Sequence, residues 1–144
     1  MKNIFIMFSA LLVFISTPVT PSLSKSDYGK EFLALSQILH NTCIKASGTT
    51  QEMIDKVSAG EFLDEAKIKK YVSCVWLEST IIGKNGELNI ELGAKLCPPK
   101  VKSSFPKDVE ECWAKSGKVT PLEDRIYDMV KCTYQKNPNN FIMF

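Results

Sequence analysis

An odd number of cysteines beyond an export signal constrains this chain more than anything else in it. Cys43, Cys74, Cys97, Cys112 and Cys132 all follow a start in which Lys2 supplies a positive charge. Ile4 to Ile15 then form a twelve-residue apolar run, and Ser22-Leu23-Ser24 offers the small residues that a signal peptidase cuts behind. Export puts thiols where disulfides form and persist, so cross-links are expected, with one cysteine left over. Twelve residues are too few to cross a hydrocarbon core of roughly 30 Å, which takes about 20 in a helix, and no later stretch comes close. The expectation is a secreted protein without stable membrane insertion. Residues 1–24 would be removed as a signal peptide, and residues 25–144 would fold as one domain.

Hydrophobic spacing and capping signals predict six helices. The first runs from Asp27 to about Lys45, where Phe32, Leu33, Leu35, Ile38 and Leu39 fall at helical spacing before Gly48. Thr49 with Glu52 reads as a capping box for a short second helix, Gln51 to Val57. A long third helix spans about Asp64 to Ile82, after which Gly83 and Asn85-Gly86 turn the chain. A fourth, Asn89 to Leu96, stops at Pro98-Pro99, a fifth covers Lys107 to Ser116, and Pro121 opens a sixth that reaches about Gln135. The tail Phe141-Ile142-Met143-Phe144 is unusually apolar. No useful period-2 stretch and no repeat is present, so the fold class is all-α.

The chemistry of catalysis is sparse. His40 is the only histidine, which makes neither a triad nor a zinc site, and it reads as a surface or partly packed imidazole, with a pH-sensing role as the alternative. Glu110-Glu111 and Asp124 with Asp128 sit among lysines on polar faces. Tyr71, Trp76, Trp113, Tyr127 and Tyr134 serve either as core or as an aromatic binding wall. The net charge is +2, of which Lys2 contributes one, and the remaining charges alternate along the helices, so nucleic acid is not an expected partner. No enzyme activity, metal or cofactor is expected.

The cysteine spacing is specific: 30 residues separate Cys43 from Cys74, 37 separate Cys74 from Cys112, and 19 separate Cys112 from Cys132. With these four on the first, third, fifth and sixth helices, the chain resembles the insect odorant-binding protein family. That family usually has six cysteines, three residues between its second and third and eight between its fifth and sixth, joined first to third, second to fifth and fourth to sixth. Counting back accordingly from Cys74 and Cys132 puts Lys70 in the second place and Glu123 in the fifth. Glu123-Asp124-Arg125-Ile126-Tyr127 through Lys131-Cys132, and the turn Asn85-Gly86-Glu87-Leu88, are also similar to family segments. Losing the second and fifth cysteines together is the mark of the family's reduced-cysteine branch.

The resemblance implies bridges Cys43 to Cys74 and Cys112 to Cys132 with Cys97 as a free thiol, although five thiols allow fifteen two-bridge connectivities and another pairing stays open. On a helical wheel Leu63, Cys74, Leu77 and Ile81 share a stripe that includes Lys70, and Glu123 lies at the edge of the sixth helix's apolar face. Lys70 and Glu123 are therefore expected to form an ion pair where relatives have a disulfide, unless both side chains snorkel to water. The implied fold is a compact bundle of about six helices around an apolar cavity, stapled by two disulfides. Expected to line the cavity are Leu77 and Ile81, Leu88, Leu92 and Leu96, Trp113, and Ile126 and Val130, with solid core as the competing reading of each, joined by Phe141 of the tail. The tail from Phe141 to Phe144 is expected to fold back over the cavity mouth, with a frayed terminus as the alternative. The implied function is a carrier of small hydrophobic ligands such as odorants or pheromones in extracellular fluid, with a chemosensory receptor as a conceivable partner. A helical signalling protein or toxin acting through receptor contact is the alternative, since amphipathic helices and two disulfides would serve it too.

Overall fold

The computed structural model describes residues 23–143; nearly all of the expected signal peptide, and Phe144 of the tail, lie outside the described residues. Six α-helices follow one another: α1 Lys30–Ser47, α2 Gln51–Ser58, α3 Ala66–Glu78, α4 Ile90–Leu96, α5 Phe105–Ser116 and α6 Leu122–Lys136. Short 3-10 turns at Lys25–Asp27, Pro99–Val101 and Pro138–Asn140 complete the order. No strand occurs among the described residues.

Local chemistry sets the ends. Gly48 closes α1 at φ +68°, a left-handed conformation that costs glycine least, and its N–H reaches the Ile44 carbonyl. Thr50 caps α2 by accepting from the Met53 N–H, so the cap lies one residue beyond the expected Thr49. Asn89 caps α4 in the same way through the Leu92 N–H at 3.1 Å.

The third helix is shorter than its apolar pattern suggested. It stops at Glu78, where the Ser79 hydroxyl donates to the Trp76 carbonyl at 2.9 Å and Thr80 turns left-handed at φ +60°. Ile81 and Ile82 have left the helix yet remain buried. Ile82 forms an isolated bridge with Leu88, and Gly83 N–H to Glu87 O (2.8 Å) and Asn89 N–H to Ile81 O (2.7 Å) close the turn.

Packing is organised on α3, which lies between α1 and α6, while α6 also pairs with α5. The buried faces are Ile68, Tyr71, Val72, Val75 and Trp76 on α3, and Ile126, Tyr127, Met129, Val130 and Thr133 on α6. A satellite cluster of Phe32, Cys97, Val101 and Ile142 joins the start of α1 to the C-terminal tail. Disulfides tie α1 to α3 through Cys43–Cys74 and α5 to α6 through Cys112–Cys132, with Cα separations of 5.6 and 5.7 Å. Cys97 is a buried free thiol.

The expected pair of Lys70 with Glu123 is not formed. Lys70 is exposed, and among the described residues no ion pair joins it to Glu123. The neighbouring lysine, Lys69, reaches Asp64 at 2.6 Å and Asp124 at 3.2 Å, with its ammonium 5.9 Å from the centre of the Tyr127 ring. The reason is the helix's true length. Leu63 precedes α3 and Ile81 follows it, so a wheel that includes them misplaces the apolar face. Lys70 stands about 200° from both Ile68 and Val72 and points to water, whereas Lys69 falls within about 20° of Trp76 and flanks the buried face. A hydrogen bond from the Tyr127 hydroxyl to the Leu63 carbonyl, 2.8 Å, adds to this non-covalent junction.

Candidate functional site

An apolar cavity lies where the start of α1, the end of α3, α4, the start of α5 and the tail meet. Phe32, Trp76, Ile81, Ile90, Leu96 and Val109 wall it, with Gly93, Cys97, Phe105, Pro106 and Ile142 completing the lining. Its free volume is about 20 Å³, room for little more than one water. The walls have closed on one another, so a ligand must part them. Beside it opens a pocket of about 200 Å³ that shares Phe32, Leu96 and Cys97 and is rimmed by Glu31, Lys95 and Lys102. On another flank, an open groove of about 960 Å³ has Leu88, Ile90 and Trp113 at its floor and Glu87, Glu91 and Glu110 around it.

The expected lining residues divide among these places. Ile81 and Leu96 stand at the cavity wall, and Leu88 and Trp113 belong to the open groove. The Trp113 ring is covered on one side by the Arg125 guanidinium, 3.6 Å from its centre, which also donates to the Trp113 carbonyl at 3.3 Å. Leu77 and Leu92 are half-buried against the core, and Ile126 and Val130 are solid core, because the apolar face of α6 is filled by α3 and α5. Phe141 stands outside the cavity lining, buried instead against Tyr134 and Phe62, ring centres 5.2 and 6.4 Å away.

Sequence reasoning missed Phe32, Ile90, Phe105 and Val109. Phe105 and Val109, one helical turn apart, carried a usable signal, but the expected start of the fifth helix at Lys107 excluded Phe105. The tail, expected to fold back on the strength of its apolarity, does so, and through it Ile142 enters the cavity lining.

The electrostatics of the site are quiet. Burial pushes the Cys97 thiol up to about 11, with the Lys102 ammonium pulling weakly the other way, so the group is a neutral thiol at ordinary pH. Burial likewise raises the Tyr71 phenol, whose oxygen lies 2.9 Å from His40 Nδ1. Tyr127 is held up to about 12, chiefly by burial. Among the described residues every fully buried side-chain polar atom has a hydrogen-bond partner, and no cluster of His, Cys, Asp or Glu could hold a metal ion. Nor is any described helix long and apolar enough to cross a membrane. What the cavity offers a ligand is apolar surface.

Known proteins share this architecture. Odorant binding protein 5 of Apis mellifera superposes with a TM-score of 0.69 over 85% of this chain and 99% of its own, at 21% identity. Odorant binding protein 4 of Chrysopa pallens gives 0.67 over 84% and 99%, at 26% identity. Among sequences, the B2 protein of Tenebrio molitor is 26% identical over 110 residues, 73% of this chain and 84% of that protein. The profile of the PBP/GOBP family matches residues 25–136, which span all six helices and both disulfides. The chain belongs to the PBP/GOBP family of odorant-binding proteins, which are carriers and not enzymes.

Proposed function

We propose that this protein is a secreted carrier that takes small hydrophobic molecules, odorants, pheromones or other apolar compounds, into the cavity between α1, α3, α4 and α5 and moves them through extracellular fluid. Binding is non-covalent and needs no cofactor. The observation that carries this reading is the cavity itself: a wall of apolar side chains from several elements, with no charged group among them, in a member of this family. Two features support its capacity to open. α4 contributes no fully buried residue and lies outside both disulfide loops, and α1 with α3 and α5 with α6 are each held as a stapled pair. Moving α4 outward disturbs less packing than moving any stapled helix. The fold lends no support to a chemosensory receptor as partner.

The test is displacement of a fluorescent apolar probe. Saturable binding of one probe per chain, reversed by apolar competitors, is the expected outcome. A probe that stays in water, or partitions without saturating, would overturn the carrier reading.

A further inference from the structure

The small apolar cavity and the wider pocket beside it share Phe32, Leu96 and Cys97, which stand between the two spaces. Leu96 is half-buried, while the Phe32 ring stacks on Tyr28 with centroids 4.9 Å apart; a change of rotamer at Leu96 would join the two spaces into one channel. The two ends of that channel differ in chemistry. Its inner end, Trp76, Ile81, Ile90 and Val109, presents ring and hydrocarbon surface without a charge. Its outer rim carries Lys95 and Lys102 against the single carboxylate of Glu31, and neither lysine has an ion-pair partner among the described residues. Nearby Lys100, in contrast, is engaged by Asp27 at 3.2 Å.

A ligand filling this space must be apolar along most of its length and can gain from a negative charge only at the mouth. Buried deeper, that charge would go unpaired. We propose that the preferred ligands are amphiphiles with an anionic head, of the class of medium- and long-chain carboxylates, the chain passing between Phe32, Leu96 and Cys97 and the carboxylate resting at Lys95 and Lys102. The proposal rests on the carrier reading and adds to it the site and the head group. The Lys102 charge is already felt at the Cys97 thiol, which fits a head group and a chain that meet at this wall.

Dodecanoate and dodecan-1-ol share a chain and differ in the head. Each is used to displace the fluorescent probe from the oxidised protein, with the rate of Cys97 alkylation by N-ethylmaleimide as the second readout. At low ionic strength dodecanoate should displace the probe about three- to fivefold more effectively than the alcohol, the range expected of a partly exposed ion pair. That preference should vanish in the double variant Lys95→Gln/Lys102→Gln and shrink in high salt, while both ligands slow alkylation of Cys97. Equal displacement by the two ligands with Cys97 shielded would leave the carrier standing and overturn the head-group selection. A carboxylate preference that survives the double variant, or ligands that bind without shielding Cys97, would put the site elsewhere and overturn the proposal. Failure of the probe itself to bind would take the carrier reading with it.

Discussion

Gly93 has an ordinary helical backbone, so no turn geometry demands a glycine there, and a glycine inside a helix costs about 0.5 to 1 kcal/mol relative to alanine. A Cβ at this position would rest 3.4 Å from Ile81 Cγ2, in ordinary contact, and would occupy much of the cavity's 20 Å³. Gly93→Ala is therefore expected to melt higher than the parent while binding the apolar probe more weakly. A calorimetric melt beside a probe titration checks this, and a variant that gains both stability and affinity would show that the space is unused. At Cys97 the consequence is one of pH. Its thiol is held at about 11 against an ordinary value of 9.0, so between these values the native state keeps a proton that the unfolded chain releases. The contribution of this group is fully present below pH 9 and is lost as pH rises to 11. Melting temperature should fall across that window, and Cys97→Ala should flatten the fall; an unchanged slope would assign the loss to the tyrosines, whose shifts have the same sign. None of this could be read from the cysteine's position in sequence, because burial comes from Phe32, Val101 and Ile142, contributed by segments on both sides of it.

Among the elements, the helices themselves were legible because their punctuation is chemical: Gly48, the Asn85-Gly86 turn, Pro98-Pro99 and Pro121 each leave a side-chain signature. The end of α3 left none. Thr80 adopts φ +60° through surrounding packing, and an apolar Ile81-Ile82 pair continues the helical pattern beyond the real boundary. That boundary left Ile81 in the stripe on which Lys70, chosen by counting back from Cys74, reads as facing inward. Periodicity on α6 correctly marks Ile126 and Val130 as inward, but an inward residue can meet a neighbouring helix or a ligand, and the pattern is the same for both. α4 and the tail are the elements for which function predicts motion. Amides of residues 90–97 should exchange faster than those of α3 and α6 and gain protection when the cavity fills, as hydrogen-exchange mass spectrometry would show. Removing Phe141 to Phe144 strips two buried side chains, Phe141 and Ile142, and should lower the unfolding free energy by roughly 3 kcal/mol while speeding probe release. Unchanged stability and release would mean that the tail merely rests on the surface.

At the scale of the whole molecule, the two disulfides close loops with sequence separations of 31 and 20 residues, and loop closure of that size is worth roughly 3 to 4 kcal/mol each. Reduction should therefore remove a large part of a domain's usual net stability of about 5 to 15 kcal/mol. Melting with and without a phosphine reductant checks this, and an unmoved midpoint would mean that the helices hold without their staples. The α3–α6 junction, where Lys69 lies between Asp64 and Asp124, has no such staple. The two loops neither overlap nor interlock: residues 43–74 are sealed entirely before residue 112. During synthesis the first bridge can form while the second half of the chain is still emerging, with no later cysteine required to correct it. Once both bridges have closed, Cys97 is the one thiol left that could scramble them, and the folding of α5 and the tail around it withdraws it from exchange.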